Sequence, residues 1–172
     1  MSGRAAILSL AVLFAGQAVL ASLSGAEERK MEDRVTRIEA EGRVRMVQDG
    51  RRAVAERAVY ERAEEKVVLT GSPKVWEDKN VVSGREITVF LDEDRSEVKD
   101  DVRVILYPRD EEKPSEISKK PPSNEKKKVP LVVTSRSMTA DQTKSQIIFE
   151  NDVVVRRSDM TLTADRVTVF YE

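Results

Sequence analysis

The chain has 172 residues, with 30 basic and 31 acidic side chains and neither histidine nor cysteine. The near-zero net charge argues against nucleic-acid binding through a global positive field. The missing histidine removes the commonest general base and a common transition-metal ligand. We therefore expect no catalytic residue, no metal site and no cofactor, and a fold that relies on burial and strand pairing without disulfides.

Residues 1–26 are typical of a secretory signal peptide. A positive charge near the amino terminus precedes an apolar run from Ala5 to Leu20, and Ser24 to Ala26 offers small residues for cleavage. Because the run is shorter than the roughly 20 residues that span a bilayer, we predict export and cleavage before Glu27. An uncleaved inner-membrane anchor is the alternative. Residues 27–172 are then predicted to form one domain.

The rest of the chain repeats every 29 residues. Gly42, Gly71 and Asp100 open equivalent segments (71 − 42 and 100 − 71), and alternating aliphatic residues follow each of them. A fourth segment opens at Asn151, where the spacing is longer by 22 residues. A repeat of this length predicts stacked copies of one structural unit.

The extra residues run from Pro108 to Val129, and five of the six prolines of the chain lie between 108 and 130. This Pro-, Lys- and Glu-rich stretch has almost nothing to bury, which predicts a disordered surface loop at 108–130. Lys126 to Lys128 are predicted to be solvent-exposed loop charges, with contact to an anionic membrane surface as the alternative.

Within each copy, aliphatic residues lie mostly two positions apart, which is the period of a strand with one buried face. We predict short strands joined by turns such as those at 48–50, 77–80 and 91–94. The side chains predicted to line the inner face are Val44, Met46, Ala58, Tyr60, Leu69, Val75, Ile87, Val89, Val98, Val102, Val104, Met138, Phe149, Val153, Val155, Val167 and Val169.

One column of the aligned copies is uniformly small and consists of Ala55, Gly84, Ser135 and Ala164. A spacing of three residues follows this column, which predicts a corner or bulge where a larger side chain would not fit. The columns predict a regular apolar inner face. Taken alone, they fit a closed, dry core as well as an open groove.

The repeated phrase is a strand ending in Gly or Asn, a Val-x-Val strand, a turn, and a strand that runs into aliphatic residues. It is carried by 41–44 with 55–60, by 69–75 with 83–89, and by 150–153 with 163–169. In this phrase the chain resembles the LptA or OstA-like family of periplasmic lipopolysaccharide-transport bridge proteins, over about residues 35 to 172 apart from the loop.

The resemblance implies a V-shaped β-jellyroll, open along one side, that holds acyl chains in an apolar groove between two sheets. It implies a non-catalytic periplasmic carrier that moves lipopolysaccharide or a related lipid from the inner toward the outer membrane. End-to-end self-association and edge-strand pairing with envelope transport proteins are also implied, and the last strand phrase, at 169–172, predicts an edge free for such pairing.

Two alternatives stay open: a structural scaffold with a closed core, and an inner-membrane-anchored LptC-like assembly factor. The chain departs from the family pattern at the loop and at Ser96, a polar residue in a column that otherwise holds Ile38, Val67 and Ile147.

A column of basic residues, Arg45, Lys74 and Arg103, is predicted to place like charges directly opposite each other on neighbouring strands. These residues would form a basic rim for lipid phosphates. The alternative is that they are solvated side chains on the outer face, paired with nearby acids. Trp76 is predicted on the face opposite the groove, packed beneath the loop or forming a partner surface.

Overall fold

The computed structural model describes residues 35–48, 50–108 and 129–171. Ten strands and one short 3-10 turn, Arg62–Glu64, make up most of these residues. The strands are β1 Arg37–Gln48, β2 Arg51–Glu61, β3 Lys66–Thr70, β4 Lys74–Glu77, β5 Asn80–Ser83, β6 Glu86–Phe90, β7 Arg95–Leu106, β8 Leu131–Asp141, β9 Gln146–Arg157 and β10 Met160–Phe170. The predicted all-β fold is confirmed. The predicted signal peptide at 1–26 lies outside the described residues, as does most of the predicted loop.

The strands form one antiparallel sheet that follows the order of the chain. β2 pairs with β1 on one side and with both β3 and β4 on the other, so β3 and β4 are two halves of one interrupted strand. β5 and β6 share β7 in the same way, and β8, β9 and β10 follow in order. Within the described residues, the outer edges of β1 and β10 have no partner strand.

Each copy is bent where two consecutive residues adopt the left-handed backbone conformation. These pairs are Gly42–Arg43, Gly71–Ser72, Asp100–Asp101 and Asn151–Asp152, with φ between 51° and 78°. Gly, Asn and Asp tolerate this conformation better than other residues. The cross-strand register shifts at equivalent places, for example between Glu41 and Val44. The sheet is therefore bent along one line that crosses its strands.

The uniformly small column lies on this line, so the predicted corner coincides with the register shifts. Gly84 shows why the column is small: a Cβ atom added there would lie 2.4 Å from Cγ1 of Val98 and 3.2 Å from the carbonyl oxygens of Lys99 and Asp100. Ala55 and Ser135, at equivalent positions, are buried.

The bend folds the two halves of the sheet over one another. Val98 and Phe149 in one half, and Val75 and Val104 in the other, are each at most 3% exposed and belong to one hydrophobic cluster. The described residues contain no second layer that could cover a single-layer sheet, so the halves exclude water from each other.

The predicted loop connects two neighbouring strands. Leu106, the last residue of β7, lies directly opposite Leu131, the first residue of β8. Beyond β7, the backbone N–H of Tyr107 donates a hydrogen bond to Oδ1 of Asn80 at 2.9 Å. The copies on both sides therefore continue one sheet. Nowhere in the described ranges is a helix long and apolar enough to cross a membrane.

Candidate functional site

The inner face of the sheet is built from continuous rows of aliphatic side chains. Leu69 lies opposite Ala58 on one neighbouring strand and opposite Ile87 on the other. The whole row runs Ala40, Ala58, Leu69, Ile87, Val98, Met138, Phe149 and Val167. Because neighbouring strands are antiparallel, the residues of this row come alternately from two columns of the aligned copies.

Two further rows flank the bend. On the same half of the sheet as the first row lie Ile38, Tyr60, Val67, Val89, Ser96, Ala140, Ile147 and Val169. On the other half lie Met46, Ala53, Val75, Val82, Val104, Val133, Val155 and Leu162. Ser96 lies between Val89 and Ala140 and is 6% exposed, so the polar residue that departs from the family pattern is inside the fold.

Most of the predicted lining residues are buried in the middle of the molecule. The buried ones are Ala58, Leu69, Val75, Ile87, Val89, Val98, Val102, Val104, Met138, Phe149 and Val153. Val44, Met46, Tyr60, Val155 and Val167 are half-buried and pack against this cluster. In the middle of the sheet, the two halves therefore fill the inner face with their own side chains.

The inner face is uncovered at both ends of the sheet. Val169 and Leu162 on β10 are 39% and 46% exposed, and Ile38 on β1 is 44% exposed. Ile38 and Leu162 were not among the predicted lining residues, although each occupies an aliphatic column. The apolar surface thus continues from the buried core to water at β1 and at β10.

Two shallow depressions lie near the β1 end. One, of about 280 Å³, is lined by residues of the first bend, including Arg43, Val44 and Glu56. The other, of about 240 Å³, lies on the outer face and is lined by Arg37, Arg57 and neighbouring side chains of β1 to β3. Neither includes a residue of the fully packed strands β6 to β9.

The outer face carries charges of alternating sign on facing strands. Glu41 pairs with Arg57 at 3.4 Å and Glu86 with Lys99 at 3.2 Å, and both pairs lie in one row along the bend. Glu39, two residues from Glu41, accepts hydrogen bonds from Arg57 and Arg37, and these bonds lower its pKa below its ordinary value. Such exposed pairs contribute little to stability, because water screens the charges.

The predicted phosphate rim lies on this outer face. Arg45, Lys74 and Arg103 are exposed and make no ion pair with any other described residue. The prediction that they lie directly opposite each other was wrong, because a returning strand separates them: Val54 lies between Arg45 and Lys74, and Ser83 between Lys74 and Arg103. Aligned copies are two strands apart in an antiparallel sheet, so column neighbours are not strand neighbours.

Trp76 lies on the outer face, as predicted, and is half-buried. Val81 is directly opposite it on β5, and Ile105 lies opposite Val81 on β7, so these side chains form a short apolar strip. Whether the loop packs on Trp76 concerns residues outside those described, and that contact stays a prediction.

The titratable groups that stand out belong to a turn between β8 and β9. Asp141 accepts hydrogen bonds from Lys144 and Thr143, which lower its pKa to about 2, and the hydroxyl of Tyr171 donates to its backbone carbonyl at 3.2 Å. These contacts close a turn. In the described ranges, no group of acidic side chains is placed to hold a metal ion. Among the described residues, the site feature that stands out is therefore the apolar inner face left uncovered at β1 and β10.

Comparison with known proteins agrees with this geometry. A family model described as the LptA/(LptD N-terminal domain) LPS transport protein matches residues 12–95 and 132–172; the unmatched residues 96–131 hold most of β7 and the predicted loop. Among solved structures, the chain is similar to LptH, the LptA-homologous periplasmic component of the lipopolysaccharide transport device from Pseudomonas aeruginosa. The TM-score is 0.54 at 11% identity, with 69% of this chain and 73% of the other covered. A search of curated proteins finds no match.

Proposed function

Because the chain belongs to the family of LptA and LptD amino-terminal domains, we propose that it is a non-catalytic periplasmic carrier of lipopolysaccharide or a closely related lipid. The acyl chains lie against the inner face and move along it from the inner toward the outer membrane. We further propose that residues 1–26 direct export and are removed.

The uncovered inner face at the two ends of the sheet is the observation that supports this proposal most strongly. Leu162, Val169 and Ile38 are partly exposed to water in the same rows that are fully buried in the centre. An acyl chain laid on these side chains gains about 0.8 kcal/mol for each methylene that leaves water. Because the contact is non-directional, a bound chain can also slide.

The burial of the central side chains determines where a lipid can first make contact. Val104 is 2% exposed, so a lipid reaches it only when the two halves of the sheet separate. We therefore propose that acyl chains enter at the exposed ends and spread the two halves as they advance. Apolar contacts between the halves are exchanged for apolar contacts with lipid, which keeps the net cost of opening small.

Photocrosslinking tests the proposal with the full chain and purified lipopolysaccharide. A photoreactive residue replaces Leu162 at an open end, Val104 in the centre or, as a control, Thr163, which neighbours Leu162 but points to the outer face. We expect a strong lipid adduct at Leu162, a weaker one at Val104 and none above background at Thr163. A folded protein without adducts at either inner position would favour the closed structural scaffold.

Mass spectrometry of the exported protein tests the proposed export signal. A chain that begins at Glu27 is expected. A chain that begins at Met1 and fractionates with the inner membrane would instead favour the anchored, LptC-like assembly factor.

Both free edges are available for strand addition. β1 and β10 each have one side without a partner strand in the described ranges, and main-chain hydrogen bonds give such edges affinity for a further strand. We propose that copies of the chain join end to end through these edges, and that envelope transport proteins dock on the same edges.

A further inference from the structure

Ion pairs join successive copies at two of the three bends between copies in the described residues; at the first bend the equivalent residues are Glu56 and Ser72. Nε of Arg85 donates to Oδ2 of Asp101 at 2.7 Å, and Nε of Arg136 donates to Oδ2 of Asp152 at the same distance. In each pair, a basic residue on the earlier copy bonds an acidic residue in the left-handed conformation on the next copy. We call these pairs the bend clamps.

The two free edges carry the same positions with the charges exchanged. On β10, Asp165 stands at the position of Arg85 and Arg136, one residue after the small column. On β1, Arg43 stands at the position of Asp101, and its φ of 51° matches the left-handed conformation there. Both edge residues are exposed, and neither forms an ion pair with another described residue.

We infer that β10 of one copy pairs with β1 of the next copy in a single register, and that an ion pair between Asp165 and Arg43 of the next copy fixes it. The partner is thus a second copy of this chain. This inference rests on the end-to-end assembly proposed above and adds to it the residues that determine its alignment.

The register is the one that the copies already use inside the chain. Ile87 lies opposite Val98 where β6 meets β7, and Met138 lies opposite Phe149 where β8 meets β9. The equivalent pair at a junction between chains is Val167 with Ala40 of the next copy. It continues the same inner row without a break.

Other positions in this register are complementary as well. Phe170, which is 74% exposed, comes opposite Arg37 of the next copy. The equivalent internal pair is Phe90 with Arg95, whose guanidinium lies 4.0 Å from the ring centroid. Val169 comes opposite Ile38 of the next copy, so two exposed aliphatic side chains cover each other.

The charged row along the bend continues in the same alignment. Arg166 comes opposite Glu41 of the next copy, where the internal copies have Glu86 opposite Lys99 at 3.2 Å. A slip of two residues one way would bring Arg166 opposite Arg43 of the next copy. A slip of two residues the other way would keep Arg166 opposite an acid, Glu39, but would move Phe170 from Arg37 to Val35 and separate Asp165 from Arg43. A slip of one residue would turn the apolar side chains outward. Charge and apolar pattern therefore select the same register.

Disulfide trapping tests the register directly, because the chain has no cysteine of its own. Thr168 and Glu39 of the next copy face each other in the proposed register, on the outer face. We expect the full chain carrying T168C and E39C to give a ladder of oligomers on mild oxidation. The control, T168C with E41C, places the sulfurs two residues apart, too far for a cross-strand bridge.

A ladder from the control pair but not from the T168C and E39C pair would overturn the register and leave end-to-end assembly standing. Absence of any self-association of the unmodified chain in sedimentation would overturn both. The adduct at Val104, which lies on β7 away from both edges, reports lipid binding independently of either result.

Charge exchange tests the role of the edge pair. Arg43→Asp and Asp165→Arg should each weaken self-association by about tenfold or more, because each places like charges together at the junction. The doubly substituted chain should recover association, because it recreates the polarity of the internal bend clamps. Arg156→Asp, an exposed reversal on β9 away from both edges, should have no effect. Unchanged association of both single variants, or no recovery in the double variant, would overturn the assignment.

Discussion

The central strands and the two edge strands are built from one sequence pattern, yet their inward-facing side chains differ in how far they are exposed to water. Leu69 on β3 and Leu162 on β10 both face inward, but the first is 1% exposed and the second 46%. The difference comes from the neighbours: β3 has strands on both sides and the other half of the sheet above it, whereas β10 has a strand on one side only. An identical aliphatic residue is thus core in one place and free apolar surface in the other.

The largest difference in stability between centre and edge is expected when each of the two leucines is truncated to alanine. Leu69→Ala should lower the free energy of unfolding by about 3 kcal/mol, because it leaves a cavity in a fully packed site. Leu162→Ala should lower it by less than about 1 kcal/mol, because its side chain is half in water already. Urea denaturation followed by circular dichroism measures both. Both are measured at dilutions at which the chain is monomeric, and equal losses there would contradict the difference between centre and edge.

A smaller effect is expected at the bend. Gly84→Ala should cost about 2 kcal/mol, because the new Cβ meets Val98 and two backbone carbonyls in the packed centre. Gly42→Ala is the matched control near the β1 edge. Nothing lies within 4 Å of the added Cβ there, and only the left-handed backbone opposes alanine, by about 1 kcal/mol. The same urea titrations apply, and a Gly42 variant as damaged as the Gly84 variant would contradict the difference between centre and edge.

The pH dependence of stability should report the turn at Asp141. Because hydrogen bonds lower its pKa from 3.8 to about 2 in the folded state, its contribution is complete above pH 3.8 and is lost as the pH falls toward 2. Asp141→Asn should therefore lose less stability than the unmodified chain over that window, with little difference between the two slopes above it. Urea midpoints measured at several pH values check this. Parallel slopes would mean that the turn does not hold the carboxylate in solution.

The smallest effect is expected at the bend clamps. The side chains of Arg85 and Asp101 are 73% and 70% exposed, so Arg85→Ala should lower the stability only slightly, and the loss should shrink further in high salt. Thermal unfolding in low and high salt measures it. A large, salt-independent loss would assign Arg85 a packing role.

The inner face could be read from the sequence because side chains alternate across a strand. A spacing of two therefore identifies the residues that share a face, whichever strand lies next. The small column could be read for a related reason: at Gly84 a Cβ has no room, and three other copies repeat the restriction with Ala or Ser.

The residues that face each other on neighbouring strands could not be predicted from the sequence in the same way. The columns align each strand with its equivalent in the next copy, two strands away, so Arg45 and Lys74 looked adjacent although Val54 separates them. The exposure of the inner face at β1 and β10 could not be predicted from the sequence either. It depends on how many copies the sheet contains and which strands are outermost, and the side chains of Leu162 or Ile38 do not encode that.

The pairing of Leu106 with Leu131 has a consequence for how this protein tolerates change. For any flexible connection between residues that a sheet holds side by side in this way, the entropy of closure rises only with the logarithm of its length, by about 0.6 kcal/mol per doubling. The length of this connection is therefore almost free to vary while the strands on both sides keep their alignment. A reporter domain or affinity module inserted there would leave both edges of the sheet untouched.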